Sequence, residues 1–560
     1  MYVADFETTT NKKDCRVWAW GLCEIGHPAN FEYGNTIETF MRRMKELAKA
    51  RETVYFHNLK FDGEFILYWL FKNGYSHIVD KKEKTNCTFT TLISDKGQFY
   101  SMEIYFKVYK TKSHKIKFLD SLKVLPLSVA EIARGFDLPV QKLELDYIAD
   151  REPGHTLTID EISYLRNDCE IVARALDILF KQDLKRMTTA ANALSDYKQI
   201  IGMRNFERWF PVPEYDADVR QSYRGGFTYV NPRYQNRVLG AGIVLDVNSL
   251  YPSVMYFKPL PYGDPIYFTG KYKPDKLYNL YVQMLVCNFR LKPNHIPTIQ
   301  LKHNIAFSPT EYVTDSAGED VVLCLTSVDL ELFLSHYDVY NVEYISGWKF
   351  KSSTILFTQY IDKWYAVKQK ATIDGNKPLR LISKLQLNSL YGKYGTAPKC
   401  RSKIPVFDYH ADVVRYQYGE WEERKPIYIP VATFITAWAR FITISAAQTV
   451  YDRFIYADTD SLHLIGTDIP PELDIDPVRL GAWKHESTFS KAKFIRAKSY
   501  LEEIDGKINV TCAGLPAAIH NQVTFENFTE SAIYTGKLKP TRVSGGVVLE
   551  ETNFTLKKGK

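Results

Sequence analysis

The segment RFIYADTDSLHLIG, residues 453–466, places two aspartates, Asp458 and Asp460, between two apolar runs. Each run is typical of a short buried strand, so the segment predicts a strand, a turn and a second strand. A carboxylate is costly to desolvate unless it is paired, hydrogen-bonded or bound to a cation. Two explanations are open at this point. The aspartates form an ordinary turn, in which this residue type is common, or they belong to a cation site whose other ligands lie elsewhere.

The composition of the chain restricts its class more than its function. A length of 560 residues allows several domains, at about 150 residues each. The net charge of +7 is compatible with an anionic partner. The 38 Tyr, 32 Phe and 9 Trp suit base stacking, or simply a core rich in large side chains. The 8 cysteines are scattered without a CxxC pair, which indicates reduced thiols rather than disulfides or a zinc site.

No segment predicts export or membrane insertion. The N-terminus, MYVADFETTT, lacks the basic and apolar regions of a signal peptide. The longest apolar run, IYIPVATFITAWA, is too short to span a bilayer and is followed by Arg440. We therefore expect a protein of the cytoplasm that has no membrane partner.

The pattern of apolar runs predicts two α/β units. Residues 1–186 alternate strand-like runs, such as MYVADF and KIKFLDS, with helical runs, such as TIETFMRRMKELAKA, which predicts a mixed sheet. A second unit begins near GAGIVLDVNSLYP and resumes near YIPVATFITAWAR. The long interval between them holds strand-like segments and then a basic helical segment. The expected fold class is therefore α/β multidomain, with a core unit interrupted by inserted modules.

A third aspartate, Asp246, follows an apolar run at the point where a buried strand should end. If the sheet places this strand beside the predicted hairpin, Asp246, Asp458 and Asp460 converge. Asp458 and Asp460 are two residues apart, so an extended backbone would direct both to one face. Oxygen-only ligands favour Mg²⁺ or Mn²⁺, and two such ions can hold the attacking and leaving oxygens of a phosphoryl transfer.

The basic helical segment supplies groups that a nucleoside triphosphate would need. Lys384, Asn388 and Tyr391 are spaced i, i+4 and i+7, which places them on one helix face. Lysine is suited to phosphate, and the tyrosine offers a ring for a base to stack on. The alternative for any one of these residues is an ordinary exposed amphipathic helix. The segment ends in NSLYG, whose glycine permits close backbone approach.

A separate set of acids lies near the N-terminus. Asp5 and Glu7 are two apart on a predicted strand, HNLKFDGEF adds Asp62, and YLRND places Tyr164 and Asp168 at i and i+4 on a helix. Four acids and a tyrosine are the composition of a two-metal nuclease that hydrolyses a phosphodiester with an activated water. A lone DxE is weak evidence, since it is more often a solvated strand face, but three spaced elements are stronger.

These segments together resemble known motifs. DVNSLYP, KLQLNSLYG and YADTDS, in that order, are similar to motifs A, B and C of family B DNA polymerases. YRGGF before motif A and KSY after motif C match the same family. VADFET, HNLKFDGEF and YLRND resemble the Exo I, Exo II and Exo III motifs of 3′–5′ proofreading exonucleases. Along essentially its whole length, the chain is most similar to the protein-primed branch of the bacteriophage phi-29 type.

The resemblance implies roles for residues of the polymerase site. Asp246 and Asp460 would be the main metal ligands, with Asp458 as an accessory. The residues implied in nucleotide binding are Tyr251, which would exclude a 2′-hydroxyl, and Lys368, Lys384, Asn388 and Tyr391. The residues implied in DNA binding are Tyr223, Gly225, Gly226, Thr436, Arg440, Lys498 and Tyr500. For Arg440 and Lys498, structural salt bridges are the alternative.

The resemblance also implies roles at the exonuclease site. Asp5, Glu7 and Asp168 would bind metal with Asp62 nearby, Tyr164 would orient the water, and Lys142 would assist electrostatically. The residues implied in holding a frayed 3′ end are Thr8, His57, Asn58, Phe61, Phe65, Ser121 and Leu122. For Phe61 and Phe65, membership of the hydrophobic core is the alternative.

The fold implied by the resemblance is a ribonuclease-H-like exonuclease domain (1–186) followed by a right-hand polymerase domain (187–560). The implied subdivisions are palm 187–257 and 427–513, first inserted region 258–355, fingers 356–395, second inserted region 396–426 and thumb 514–560. The first inserted region would contact a terminal priming protein, and the second would encircle DNA and favour strand displacement. The implied cofactors are two Mg²⁺ or Mn²⁺ ions per active site. The implied partners are primer–template DNA, single-stranded DNA and dNTPs, bound by a monomer that replicates a linear phage-type genome in the infected cell.

Two other functions remain as alternatives. A metal-dependent hydrolase could use both acid clusters, although it would leave KLQLNSLYG and Tyr251 without a role. Whether a primed template is lengthened or only shortened distinguishes this class from a polymerase. An inactive DNA-binding scaffold is the second alternative, and the intact acids argue against it because a scaffold gains nothing from their repulsion.

Overall fold

The computed structural model describes residues 1–146, 149, 151–300 and 312–557. Its N-terminal domain contains eight strands and four helices. Their bounds are β1 Tyr2–Thr8, β2 Val17–Glu24, β3 His27–Gly34, α1 Ile37–Leu47, β4 Thr53–Phe56, α2 Leu59–Lys72, β5 Ser76–His77, β6 Thr88–Ile93, β7 Phe99–Val108, β8 Ser113–Asp120, α3 Val129–Gly135 and α4 Ile159–Lys181.

The N-terminal strands form one mixed sheet, as predicted, in the order β3-β2-β1-β4-β8-β7-β6-β5. β4 runs parallel to both β1 and β8, whereas β2 and β7 are antiparallel to their neighbours. α4 begins at a capping box in which Thr158 and Glu161 satisfy each other's backbone N–H groups. α4 packs on β1 and β2. This packing brings Asp168 of α4 close to Asp5 and Glu7 of β1.

Three short helices lead into the second α/β unit, which begins with three strands and a helix. The bounds are α5 Thr189–Ile201, α6 Met203–Trp209, α7 Asp216–Arg220, β9 Thr228–Val230, β10 Val238–Leu239, β11 Gly242–Val247 and α8 Leu250–Phe257.

The unit is then interrupted twice, as expected. The first interruption contains a four-stranded sheet in the order β12-β15-β13-β14, and the second is a single hairpin, with three helices between the two. The bounds are β12 Leu260–Thr269, β13 Leu280–Leu291, β14 Val321–Thr326, α9 Ser327–His336, β15 Tyr337–Ser353, α10 Thr358–Ile373, α11 Lys377–Ser389, α12 Tyr391–Tyr394, β16 Lys399–Asp408 and β17 Val413–Glu423. We call β16–β17 the inserted hairpin.

The second unit resumes with a long helix and closes two sheets. One sheet has the order β20-β11-β19-β18-β9 and the other has the order β10-β21-β22-β23. The chain ends with β24–β25, which we call the thumb hairpin. The bounds are α13 Ile429–Thr449, β18 Phe454–Asp458, β19 Ser461–Ile465, β20 Trp483–Phe489, β21 Lys491–Arg496, β22 Ser499–Ile504, β23 Lys507–Cys512, β24 Ile533–Val543 and β25 Gly546–Thr555.

α13 corrects one expectation. The apolar run was expected to be too short to cross a bilayer, but the helix continues to Thr449, and its 21 residues suffice by length and composition alone. In the structure, 78% of its most apolar 18-residue window is buried. Residues such as Phe434, Ile435 and Ile444 pack in the largest hydrophobic cluster. The helix therefore lies in the protein core, which explains its composition.

Candidate functional site

The hairpin β18–β19 places its acids beside Asp246. β11 pairs antiparallel with β19, with Asp246 opposite Ser461. The N–H of Val247 donates to the carbonyl oxygen of Asp460 at 2.8 Å. The predicted turn and the predicted convergence of the two segments are therefore both confirmed.

The expectation that Asp458 and Asp460 share one face of an extended strand is wrong. Thr459 between them has φ 63°, a left-handed conformation that turns the chain. Asp458 closes β18, and its carboxylate accepts two hydrogen bonds of 2.8 Å from Lys498 Nζ. Burial and, next, the charge of Asp246 raise the pKa of Asp460 to about 6. The two aspartates thus have different electrostatic environments.

Basic side chains converge on this site from the helices and from β20. Lys484 Nζ pairs with Asp246 at 3.0 Å, and Lys368 Nζ donates to Ser249 Oγ at 3.4 Å. Burial lowers the pKa of Lys368, and the neighbouring charges of Arg380, Lys384 and Lys484 lower it further. Sequence reasoning missed two of these cations. Arg380 precedes Lys384 by one helical turn, which was a usable signal, whereas Lys484 has no local motif.

The helix predicted to carry Lys384, Asn388 and Tyr391 is present but shorter than the motif. α11 ends at Ser389 and Tyr391 begins α12. Lys384 and Asn388 are exposed, and the ring of Tyr391 stacks on that of Tyr251 with centroids 4.1 Å apart. The charge of Asp460 acts on both tyrosines, so this aromatic pair lies near the acids.

The YRGGF segment lies against the same aromatic pair. A Cβ at Gly226 would come within 2.8 Å of the Thr459 side chain and 3.0 Å of Tyr251 Oη. At Gly225 a Cβ would meet no atom within 4 Å. The ring of Tyr223 approaches Gly395, where a Cβ would lie 2.4 Å from the hydroxyl. The segment therefore packs closely against the turn between β18 and β19.

Two residues expected to contact DNA are buried within the protein. Thr436 Oγ1 donates to the carbonyls of Ala432 and Thr433 in its own helix. Arg440 is 3% exposed and donates to both carboxylate oxygens of Asp329 and to the carbonyl of Gly225. Both side chains are held by internal contacts, and a direct DNA contact for this pair stays a prediction. For Arg440, the salt-bridge alternative is the observed arrangement.

The KSY residues have different environments. Lys498 is exposed and, as described above, neutralises Asp458. Tyr500 is half-buried, and its ring contacts those of Tyr456, His463 and Phe494 at centroid distances of 5.1–5.2 Å. His463 in turn bonds Glu502 at 2.7 Å, which joins β19 to β22 below the catalytic turn.

The N-terminal acids line or adjoin a cavity of about 770 Å³. Asp5, Glu7, Tyr164 and Asp168 line it. Asp62 lies in the first turn of α2, where the helix dipole favours an anion, and is buried. The acids of all three motifs therefore lie close together.

Mutual repulsion and burial dominate the electrostatics of this cavity. Burial and then Asp168 raise the pKa of Asp5 to about 7. The pKa values of Glu7 and Asp62 are also raised, first by burial and then by the charge of Asp5. Lys142 offsets part of this charge, because its ammonium group pairs with Asp168 and donates to Tyr164 Oη at 2.9 Å.

The donor set of both sites suits divalent cations with oxygen ligands. The Oδ1 atom of Asp168 is buried and accepts no hydrogen bond from the described residues. Within those residues, no three His, Cys, Asp or Glu side chains already surround one point as a finished metal site. Lys142, Lys484 and Lys498 pair with the acids instead. A metal would have to displace or supplement these ammonium groups.

The residues expected to hold a 3′ end divide into accessible and buried groups. Thr8, His57, Asn58 and Phe61 line the cavity. Phe65 is 1% exposed and Ser121 is fully buried, where its hydroxyl donates to the carbonyl of Phe56 at 3.0 Å. Phe65 therefore packs in the hydrophobic core, as the alternative expected, and a direct DNA contact for Phe65 or Ser121 stays a prediction.

Leu122 does not line the cavity either. Its N–H donates to Asp120 Oδ1 at 3.0 Å, next to the loop that carries Asn58. Sequence reasoning also missed one wall of the cavity, which the thumb hairpin supplies through Leu538, Pro540, Arg542, Val547, Val548 and Leu549. No local signal marks these residues, because they are more than 480 positions away from Glu7 in the chain.

Comparison with known proteins places the chain in a family. The profile described as "DNA polymerase type B, organellar and viral" matches residues 43–153 and 147–474. The chain belongs to this family of type B DNA polymerases.

Within the family, the chain is similar to the polymerases of the phi29 group of phages. It is 46% identical to the DNA polymerase of Bacillus phage B103 and 45% identical to that of Bacillus phage phi29, in each case over 100% of this chain and 99% of the relative. The structure of phi29 DNA polymerase complexed with primer–template DNA matches with a TM-score of 0.93 at 43% identity, covering both chains completely. The family resemblance and the fold class, an exonuclease domain with a palm, fingers and thumb polymerase, are confirmed.

Proposed function

We propose that this DNA polymerase extends a primer on a DNA template and removes mismatched 3′ ends with a separate 3′–5′ exonuclease site. The observation that carries the proposal is the presence of two separate acid clusters, one beside a basic helical face and one in a cavity of the N-terminal domain. A single hydrolytic site would need only one cluster. A relative has been solved with primer–template DNA and incoming nucleotides, which supports the same ligands here.

At the polymerase site, the proposed role of each residue follows from its position. Asp246 and Asp460, with Asp458 beside them, would hold two Mg²⁺ or Mn²⁺ ions. When bound, these ions neutralise phosphate charge and activate the attacking 3′ oxygen. Lys368 and Lys384, with Arg380 and Lys484, bind the triphosphate. Tyr251 excludes a 2′-hydroxyl from the sugar position, and Asn388 and Tyr391 shape the pocket for the new base pair.

At the exonuclease site, Asp5, Glu7 and Asp168 would hold two ions in the same way, with Asp62 nearby. Tyr164 orients a water toward the terminal phosphodiester, and Lys142 keeps that hydroxyl and Asp168 in place. The single-stranded 3′ end enters the 770 Å³ cavity between Phe61 and the thumb hairpin. This arrangement supports removal of one nucleotide at a time from a frayed end.

The inserted modules support a wider role that rests on the family relationship. We infer that the first inserted region binds a terminal priming protein and that the inserted hairpin encircles DNA and favours strand displacement. The protein would then act as a monomer, in the cytoplasm of an infected cell, on a linear phage-type genome.

Two variants test the assignment of the sites. Asp460→Ala should lower primer extension by at least ~1,000-fold, about 4 kcal/mol of transition-state stabilisation, and leave degradation of single strands intact. The double variant Asp5→Ala/Asp62→Ala should do the reverse. Extension and degradation are measured on the same labelled primer with Mg²⁺, with and without dNTPs.

The contradictory outcomes are separate for each site. Extension by Asp460→Ala at near the parental rate would contradict the assignment of a two-metal site to β18–β19. Loss of both activities in either variant, with its thermal transition at the parental temperature, would show that the two reactions do not belong to separate sites.

A further inference from the structure

A buried carboxylate of the N-terminal domain connects three regions that are far apart in the chain. Glu64 on α2 is 3% exposed. Its Oε1 accepts hydrogen bonds from Arg542 Nε at 3.0 Å, from Arg542 Nη2 at 2.9 Å and from Tyr416 Oη at 3.1 Å. Arg542 belongs to the thumb hairpin and Tyr416 to the inserted hairpin. The Arg542 guanidinium also lies over the Tyr416 ring, 4.5 Å from its centroid.

The thumb hairpin packs closely against the N-terminal domain. A Cβ at Gly546, in the first position of β25, would lie 2.5 Å from the Phe65 ring. At Gly545, where φ is 95°, a Cβ would lie 1.8 Å from the carbonyl oxygen of Cys15. Val547 and Val548 belong to the hydrophobic cluster of the N-terminal domain, together with Val414 of the inserted hairpin. The docking is therefore built from apolar packing as well as from the Glu64 cluster.

Arg542 stands at the boundary between two cavities. It lines the 770 Å³ exonuclease cavity and a second cavity of about 720 Å³, and Lys60 and Glu64 line both as well. Arg542 uses Nε and Nη2 to bind Glu64, yet its side chain remains 41% exposed. The exposed part of the guanidinium is therefore available to an anion that passes along either cavity.

The ligand that fits this position is the phosphate backbone of single-stranded DNA. A planar guanidinium that is held at one edge presents its remaining donors in a fixed geometry suited to phosphate. The cavity also presents Lys60 and Lys142 and the rings of Phe61 and Tyr164. Positive charge combined with aromatic rings is the usual composition of a single-strand binding groove.

We propose that Arg542 is a DNA-binding residue of the exonuclease site, and that Glu64 and Tyr416 are positioning residues that hold its guanidinium toward the single-stranded 3′ end. The inference rests on the proposed exonuclease function. It assigns to the thumb hairpin one phosphate contact in a site whose acids all come from the N-terminal domain.

The test removes the cluster without leaving a lone buried charge, since an unpaired charge would destabilise the fold. The double variant Glu64→Gln/Arg542→Gln is compared with the parent in steady-state degradation of a labelled single-stranded oligonucleotide at several salt concentrations. We expect KM to rise about tenfold with kcat unchanged. We also expect the slope of log KM against log salt to fall by about 0.7, the value for one phosphate contact on a single strand.

The matched control is Lys12→Ala. It breaks an exposed pair between Lys12 and Glu550 that joins the same domain to the same hairpin, but Lys12 does not line the cavity. KM and the salt slope should stay at parental values. If the double variant does not fold, as judged by its thermal transition, Tyr416→Phe replaces it. That variant keeps the ring, loses one hydrogen bond to Glu64 and should raise KM about threefold.

The outcomes separate this inference from the proposed function. A parent that extends primers but degrades no single strand would overturn the exonuclease assignment, and the present inference with it. A parent with nuclease activity whose KM and salt slope are unchanged in the variant would overturn the role of Arg542 alone. A change in kcat with no change in KM would also overturn it, because that pattern indicates disturbance of the acids.

Discussion

Asp458 and Asp460 are separated by a single threonine, yet the charges around their carboxylates differ. Lys498 neutralises Asp458 with two hydrogen bonds of 2.8 Å. Asp460 is instead repelled by Asp246, which with burial raises its pKa to about 6. A divalent cation would relieve this repulsion directly. The local charges therefore favour Asp460 over Asp458 as a primary ligand.

The raised pKa of Asp5 predicts how stability depends on pH in metal-free protein. Burial and Asp168 raise this pKa to about 7, compared with 3.8 for an unperturbed aspartate. A carboxyl group whose pKa is higher in the folded state stabilises the fold below the unfolded pKa, and that stability is lost as pH rises through the folded value. In a chelator, the thermal transition should therefore fall between about pH 4 and pH 7.

Asp5→Asn provides the comparison, because asparagine cannot ionise. The decline in its transition temperature over the same pH range should be shallower than that of the parent. Scanning calorimetry at a series of pH values measures both. Parallel curves for the two proteins would show that Asp5 is already ionised at the lower pH, which contradicts the raised pKa.

The position of Tyr251 predicts selection against ribonucleotides. Its ring is held by stacking on Tyr391 and by the close approach of Gly226, so it cannot readily move aside. Tyr251→Val should let ribonucleotides in, reducing discrimination by about 100-fold, or ~3 kcal/mol. The discrimination is measured as the ratio of dNTP to rNTP incorporation in single-nucleotide additions on one primed template. An unchanged ratio would show that Tyr251 does not select the sugar.

At the scale of elements, the YRGGF segment offers a matched pair of substitutions. Both glycines precede β9, and neither has a positive φ. Gly226→Ala would press a methyl group against Thr459, whose position in the catalytic turn is constrained, and should reduce extension about tenfold or more. Gly225→Ala meets open space and should retain near-parental extension in the same primer assay. Equal effects of the two would show that packing against the turn is not the cause.

The long helix α13 supports the candidate polymerase site from within the core. Arg440 reaches from α13 to Asp329 of α9 and to the carbonyl of Gly225. It thereby fixes the YRGGF segment relative to the core sheet. Thr436, by contrast, bonds only carbonyl groups of its own helix among the contacts described.

At the scale of the whole molecule, the inserted hairpin and the thumb hairpin both meet α2. Asp412 at the tip of the inserted hairpin accepts hydrogen bonds from Tyr68 at 2.7 Å and Lys72 at 2.9 Å, and from Ser544 at the tip of the thumb hairpin. Together with the Glu64 cluster, these contacts connect the N-terminal domain to two separate parts of the polymerase domain. The tips of the two hairpins are therefore hydrogen-bonded to each other and to α2.

This connection predicts a specific defect when the inserted hairpin is removed. A variant in which 399–423 is replaced by a short linker should add a single nucleotide at the parental rate, because none of the catalytic acids lies in this hairpin. On a primed single-stranded circle without accessory proteins, its products should be shorter than one circle, whereas those of the parent should be much longer. Denaturing gels of both reactions measure this, and long products from the variant would contradict a role in encircling DNA.

Much of the site was predictable because its signals are local. Apolar runs that end in acids predicted the strands and the convergence of Asp246 with the hairpin. Helical spacing placed Lys384 with Asn388, and the order of the motifs led to the family. One expectation failed for a physical reason, because Thr459 turned the chain where an extended backbone was expected. The burial of Phe65 under Gly546 and of Arg440 against Asp329 depends on contacts that no local pattern contains.

The sequence alone therefore determined which residues are candidates for the chemistry, since strand and helix periodicity and the types of side chain act over a few positions. Only the tertiary structure decided which of them line a cavity and which are buried in internal contacts. Arg440 meets Asp329 across 111 positions and Arg542 meets Glu64 across 478. Such pairs form because folding brings distant surfaces together and because a buried charge requires a partner. The residues next to each partner in the sequence predict neither condition.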